Sequence, residues 1–109
     1  MYFKALSRMS CFIVLMCFSL MSNADTVWID VRSAVEHSID NIKGDVRITH
    51  DEIVQGVSEM FPDKDTEIAL YCRSGNRSGK ALSALQAAGY TNVSNAGAID
   101  DARRARGLN

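Results

Sequence analysis

The sequence predicts an α/β domain, a small parallel sheet of about four to five strands with helices on both faces. Two observations predict it. Short runs of β-forming apolar residues alternate along the chain with amphipathic helical patterns. Each strand-to-strand connection also holds a helical stretch, as parallel pairing requires. The 109 residues fit one domain, and 47% apolar with 23% charged residues is the balance of an ordinary globular protein. No internal repeat or low-complexity tract interrupts the pattern.

The elements follow in order. TVWIDV, Thr26 to Val31, is short, apolar and rich in β-formers, as expected of a strand buried on both faces. Ser33 can cap a short helix, in which Arg32 and Glu36 are spaced for a surface ion pair. DNIKGD turns the chain at Gly44, and Val46 to Ile48 form a brief strand. Thr49 or Asp51 then caps a helix whose apolar face is Ile53, Val54, Val57, Met60 and Phe61, ended by Pro62 and Asp63. IALYC, Ile68 to Cys72, reads as the central strand. From Ser78 onward Ala81, Leu82, Leu85 and Ala88 share one helical face, and Gly89 stands in the usual stop position. Val93 lies in a further short strand, and Ile99 to Arg106 form a last helix.

The N-terminus has a different character. Lys4 and Arg8 precede an apolar run from Cys11 to Met21, and Ser22, Asn23 and Ala24 supply small residues for a signal peptidase. Residues 1–24 are therefore expected to be a signal peptide cleaved after Ala24, leaving 25–109 as one domain in the periplasm. The apolar run is shorter than the roughly 18 to 20 residues that cross a bilayer, so no stable membrane anchor is expected after cleavage. Met16 before Cys17 argues against lipidation. Cleavage removes Cys11 and Cys17 and leaves Cys72 as the sole cysteine, unable to form an internal disulfide. Taking Lys4 and Arg8 from the 12 basic residues leaves 10 against 13 acidic ones, a charge of −3, which argues against a nucleic-acid partner.

The chemistry concentrates in YCRSGNRSG. Cys72 closes a strand, and functional crevices of open α/β sheets lie at the carboxyl ends of strands. Gly75 and Gly79 permit unusual torsions, and a strong helix begins near Ser78, so the intervening amides can turn inward as an anion-binding nest. Such donors at a helix N-terminus lower a thiol's pKa below its free value near ~8.5, and Arg73 and Arg77 add positive potential. The bland reading is a buried core thiol. Against it stands the polar loop that follows Cys72. Either arginine alone could be a solvated charge, and His37 and His50 read as surface or turn residues.

WIDVR, KGD with VRITH, YCRSGNRSGKAL and GYTNVSNAGA occur in an order that resembles a rhodanese homology domain, over essentially the whole predicted mature chain. An exported chain of this size is similar to the single-domain thiosulfate sulfurtransferases of the phage-shock protein E type. The resemblance implies that Cys72 bears a persulfide and that Arg73, Ser74, Gly75, Asn76 and Arg77 form the cradle, with Ser78 opening the supporting helix. Asp30 and Arg32 match a segment expected to fix the first strand and its turn. Asn41 and Asp45 depart from the His and Ala of many members, which touches the packing beside the first helix rather than the cysteine loop.

The implied reaction is ping-pong transfer of sulfane sulfur from thiosulfate to cyanide or a thiol, by a monomer using no cofactor and no metal. Two other readings keep the fold: a sulfur carrier served by a protein donor or acceptor, and a protein-binding module without catalysis. A phosphatase or arsenate reductase needs a loop that wraps a tetrahedral oxyanion. Between Cys72 and Arg77 lie four residues rather than the five of that loop type, a smaller cradle suited to one sulfur atom.

Overall fold

The computed structural model describes residues 25–108, so the predicted signal peptide, with Cys11 and Cys17, lies outside the described residues. Four strands and four helices alternate: β1 Val27–Asp30, α1 Ala34–Ile39, β2 Val46–Arg47, α2 Ile53–Met60, β3 Ile68–Cys72, α3 Asn76–Ala87, β4 Val93–Ala98 and α4 Ile99–Ala105. The sheet is parallel throughout, in the order β2-β1-β3-β4. The chain leaves β1 toward one edge and β3 toward the other. The carboxyl ends of these two central strands therefore flank the switch point, where an open α/β sheet forms its crevice.

The pleat divides β3 between two cores. Ile68, Leu70 and Cys72 face one side with Ile29, Val31, Ile53, Val57, Ala81 and Leu85, beneath α2 and α3. Tyr71 faces the other with Ile42, Ile99, Ala102 and Trp28, beneath α4. All five residues of β3 are buried, as a strand covered on both faces must be.

Four local readings change. Arg32 does not reach toward Glu36: it is buried and turns back on Asp30, because a carboxylate with no exposure at the end of β1 needs a cation beside it. Neither Thr49 nor Asp51 caps α2, whose cap position is Glu52 with no side-chain cap bond. Burial of Ile53 and Val57 anchors this helix, while Val54 and Met60 point outward. Helix α3 starts at Asn76, two residues before the expected Ser78, because Gly75 caps it in the left-handed region at φ 95°. His37 is no plain surface residue, since its Nδ1 lies 3.0 Å from Asp30 Oδ2. Ser33 does cap α1, in a capping box with Glu36.

Candidate active site

Cys72 is the last residue of β3, and α3 begins four residues later. Chain reversal over so short a span requires a residue with positive φ, and Gly75 supplies it. A Cβ at Gly75 would stand 3.3 Å from Gly97 Cα, so the turn also leans directly on β4. Gly97 itself has φ 94° and follows a bulge, where Leu70 pairs with Asn95 but Tyr71 pairs with Gly97. Two glycines from distant parts of the chain thus let the loop and the strand touch.

The turn aims its donors at the sulfur. Gly75 N–H donates to Cys72 Sγ at 2.9 Å, and Ser78 Oγ lies 3.5 Å from the same atom. Burial alone would raise the thiol's pKa. The Ser78 hydroxyl and the backbone N–H groups of Ser78, Ser74 and Gly75 outweigh burial and bring it down to about 7. The buried-core reading is met halfway, for Cys72 has no exposed surface and belongs to the α2–α3 core. A core thiol, however, is not ringed by main-chain donors.

The expected site residues separate into distinct places. Ser74 and Gly75 supply amides, Ser78 is fully buried behind the sulfur, and Asn76 is exposed on the first turn of α3. Arg77 is held: its guanidinium donates to Glu36 Oε1 at 2.7 Å and Oε2 at 2.9 Å, holding the Glu36 carboxyl down at about 2. Arg73 is exposed and makes no ion pair among the described residues, and it lines a shallow cleft with Arg32, Ile39, Asp40, Ile99 and Asp100. No group of three or more His, Cys, Asp or Glu side chains able to hold a metal occurs among the described residues.

Two participants were not expected at the site from the sequence. Asn95, on β4, accepts from Ser78 Oγ at 2.7 Å and from Gly97 N–H at 2.9 Å, and donates to Gly75 O at 3.0 Å. Glu36 joins α1 to α3 through Arg77. Residues 17 and 41 positions from their partners are brought together only by the sheet order.

Comparison with known proteins gives concordant matches. A family model described as Rhodanese-like domain matches residues 18–97. Thiosulfate sulfurtransferase PspE of Escherichia coli (strain K12) is 36% identical over 84 residues, covering 77% of this chain and 81% of that protein. The tRNA uridine(34) hydroxylase of Photorhabdus laumondii is 32% identical over 93 residues, 80% of this chain but 26% of the hydroxylase. Among solved structures, a rhodanese with anions from E. coli aligns with TM-score 0.67 at 34% identity, covering 71% of this chain and 91% of that one.

Proposed function

The chain belongs to the rhodanese-like domain family, and on that premise we propose that it is a sulfurtransferase carrying sulfane sulfur as a persulfide on Cys72. The observation that carries this reading is the convergence of the Ser74, Gly75 and Ser78 donors on Sγ. With the thiol brought down to about 7, more of Cys72 is thiolate at neutral pH than in a free cysteine, ready to act as a nucleophile.

The thiolate attacks the outer sulfur of thiosulfate. The sulfur–sulfur bond of the donor breaks, and sulfite departs with its electron pair. Cys72 is left with one extra sulfur bearing the negative charge. Cyanide or a thiolate acceptor then takes that outer sulfur and regenerates the Cys72 thiolate, so the reaction is ping-pong and requires neither metal nor cofactor. In this reading Arg73, exposed and unpaired among the described residues, orients the donor's sulfonate, whereas Arg77 is paired with Glu36.

The choice of thiosulfate as donor rests on the similarity to PspE, which spans most of both chains. Hydroxylation is not carried over, since the hydroxylase is matched over about a quarter of its length. We further propose that the protein acts in the periplasm as a monomer of residues 25–109, after cleavage of residues 1–24.

Intact-mass measurement tests the proposal. After thiosulfate treatment the protein should gain a single sulfur atom that cyanide removes, and Cys72→Ser should gain none. Release of phosphate from an aryl phosphate without any such gain would replace this reading with a phosphatase.

A further inference from the structure

The Ser78 hydroxyl owns one proton and has two acceptors within reach. Asn95 Oδ1 is 2.7 Å away and Cys72 Sγ is 3.5 Å away. A hydroxyl donates to one partner at a time in good geometry, so a bond to one is withheld from the other. Ser78 itself is fully buried, which leaves its proton little recourse to solvent. Asn95 is exposed as a residue, yet both ends of its amide are engaged by protein: Oδ1 by Ser78 and Gly97, Nδ2 by Gly75 O.

The two acceptors change in strength through the reaction just proposed, on which this inference rests. A thiolate at Sγ is a strong acceptor, whereas in the persulfide the charge sits one atom further out and Sγ is a weak one. We propose that Asn95 is a positioning residue of the sulfur site, whose side-chain carbonyl competes with the Cys72 sulfur for the Ser78 proton. Ser78 turns to the sulfur while Sγ is charged and returns to Asn95 once the charge has moved to the outer sulfur. Asn95 thereby stabilises the loaded protein relative to the bare thiolate and makes the thiolate less comfortable than the amides alone would.

The other charged groups nearby have partners of their own. At the end of β1 Asp30 lies between Arg32 and His37, on α3 Arg77 is paired with Glu36, and after β4 Asp101 accepts from Ala98 N–H. Arg73 and Asp100 stand at the cleft, and the α2–α3 core behind the sulfur contributes Val31, Ile53 and Ala81.

A double-mutant cycle with Ser78→Ala, Asn95→Leu and the pair isolates the competition; leucine keeps the volume of asparagine and fills the space where a water could replace the carbonyl. The readout is the pH midpoint of Cys72 alkylation by iodoacetamide, which needs no sulfur transfer and so stands apart from the test of the proposed activity. Asn95→Leu also removes the bond to Gly75 O, but that loss is common to both backgrounds and cancels in the cycle. The shift caused by Asn95→Leu should be lower by about half a pH unit or more when Ser78 is present than when it is absent, the size one hydrogen bond supports. Equal shifts in both backgrounds, or a higher one with Ser78 present, overturn the proposal. In the wild-type protein the Gly97 amide, which shares Asn95 Oδ1, should show a chemical shift titrating with Cys72. A Gly97 shift that ignores the thiol's titration overturns it as well, even if the Asn95 variant does not fold.

Discussion

Gly75 carries more of the site than its size suggests, because its positive φ turns the chain into α3 while its own N–H meets Sγ at 2.9 Å. In Gly75→Ala the left-handed conformation costs about 1–2 kcal/mol, and the new Cβ would press on Gly97 Cα at 3.3 Å. The expected outcome is a lower melting temperature together with a Cys72 alkylation midpoint moved up from about 7 toward the range of a free thiol. A variant that melts lower but keeps the midpoint would show that the amide ring survives the strain. The strand end at Cys72 and the turn at Gly75 could be read directly from YCRSGNRSG, whereas Gly79, expected to share in the unusual torsions, lies inside α3 without a positive φ. The burial of the sulfur could not be read there, because a local motif does not reveal which face of the sheet its last strand residue takes.

Between elements, the Glu36–Arg77 pair ties α1 to the first turn of α3. Glu36→Gln keeps the capping box with Ser33, for glutamine serves there as glutamate does, and removes only the charged part of the tie. A partly exposed bidentate pair contributes about 1 kcal/mol. The pH dependence has a definite sign. The folded-state pKa of about 2 lies below the ordinary 4.5, so the pair's contribution is complete above 4.5 and disappears as pH falls through about 2. Thermal melts should therefore show wild type above Glu36→Gln at neutral pH, with the gap closing across that acid window. Helix α2 shows how apolar spacing overstates a face: five positions shared a stripe in the sequence, but only Ile53 and Val57 are fully covered.

At the scale of the molecule, Asp45 joins parts of the chain that no local pattern connects. Tyr71 of β3 donates to its Oδ2 at 2.6 Å, and Arg106, just past α4, donates to both oxygens while lying over the Trp28 ring of β1 at 4.5 Å. Burial, then the bond to Asp45 and its charge, push the Tyr71 hydroxyl well above its ordinary pKa. Asp45→Ala would leave a buried phenol and a guanidinium without their partner, a loss of about 1–3 kcal/mol. Urea denaturation should show that loss in the wild-type background and a smaller one in Arg106→Leu, where half of the network is already gone. Sequence reading marked Asp45 as a departure near the first helix; its partners in β3 and beyond α4 emerge only with the fold.

The amino-acid sequence by itself determined the element types, the parallel α/β architecture and the candidate nucleophile. These rest on short-range physics: the alternation of apolar residues, glycine at a forced turn, and a cysteine between a strand and a helix. Tertiary structure alone decided that Arg77 is neutralised by Glu36, that Arg32 turns back into the protein, and that Asn95 reaches the Ser78 hydroxyl. The Arg77–Glu36 and Ser78–Asn95 contacts depend on strand order, which sets distances between residues far apart in the chain that no pattern within a few neighbouring residues encodes. Arg32 meets Asp30 only two residues away, and what decides that contact is the complete burial of the carboxylate, which the fold alone brings about.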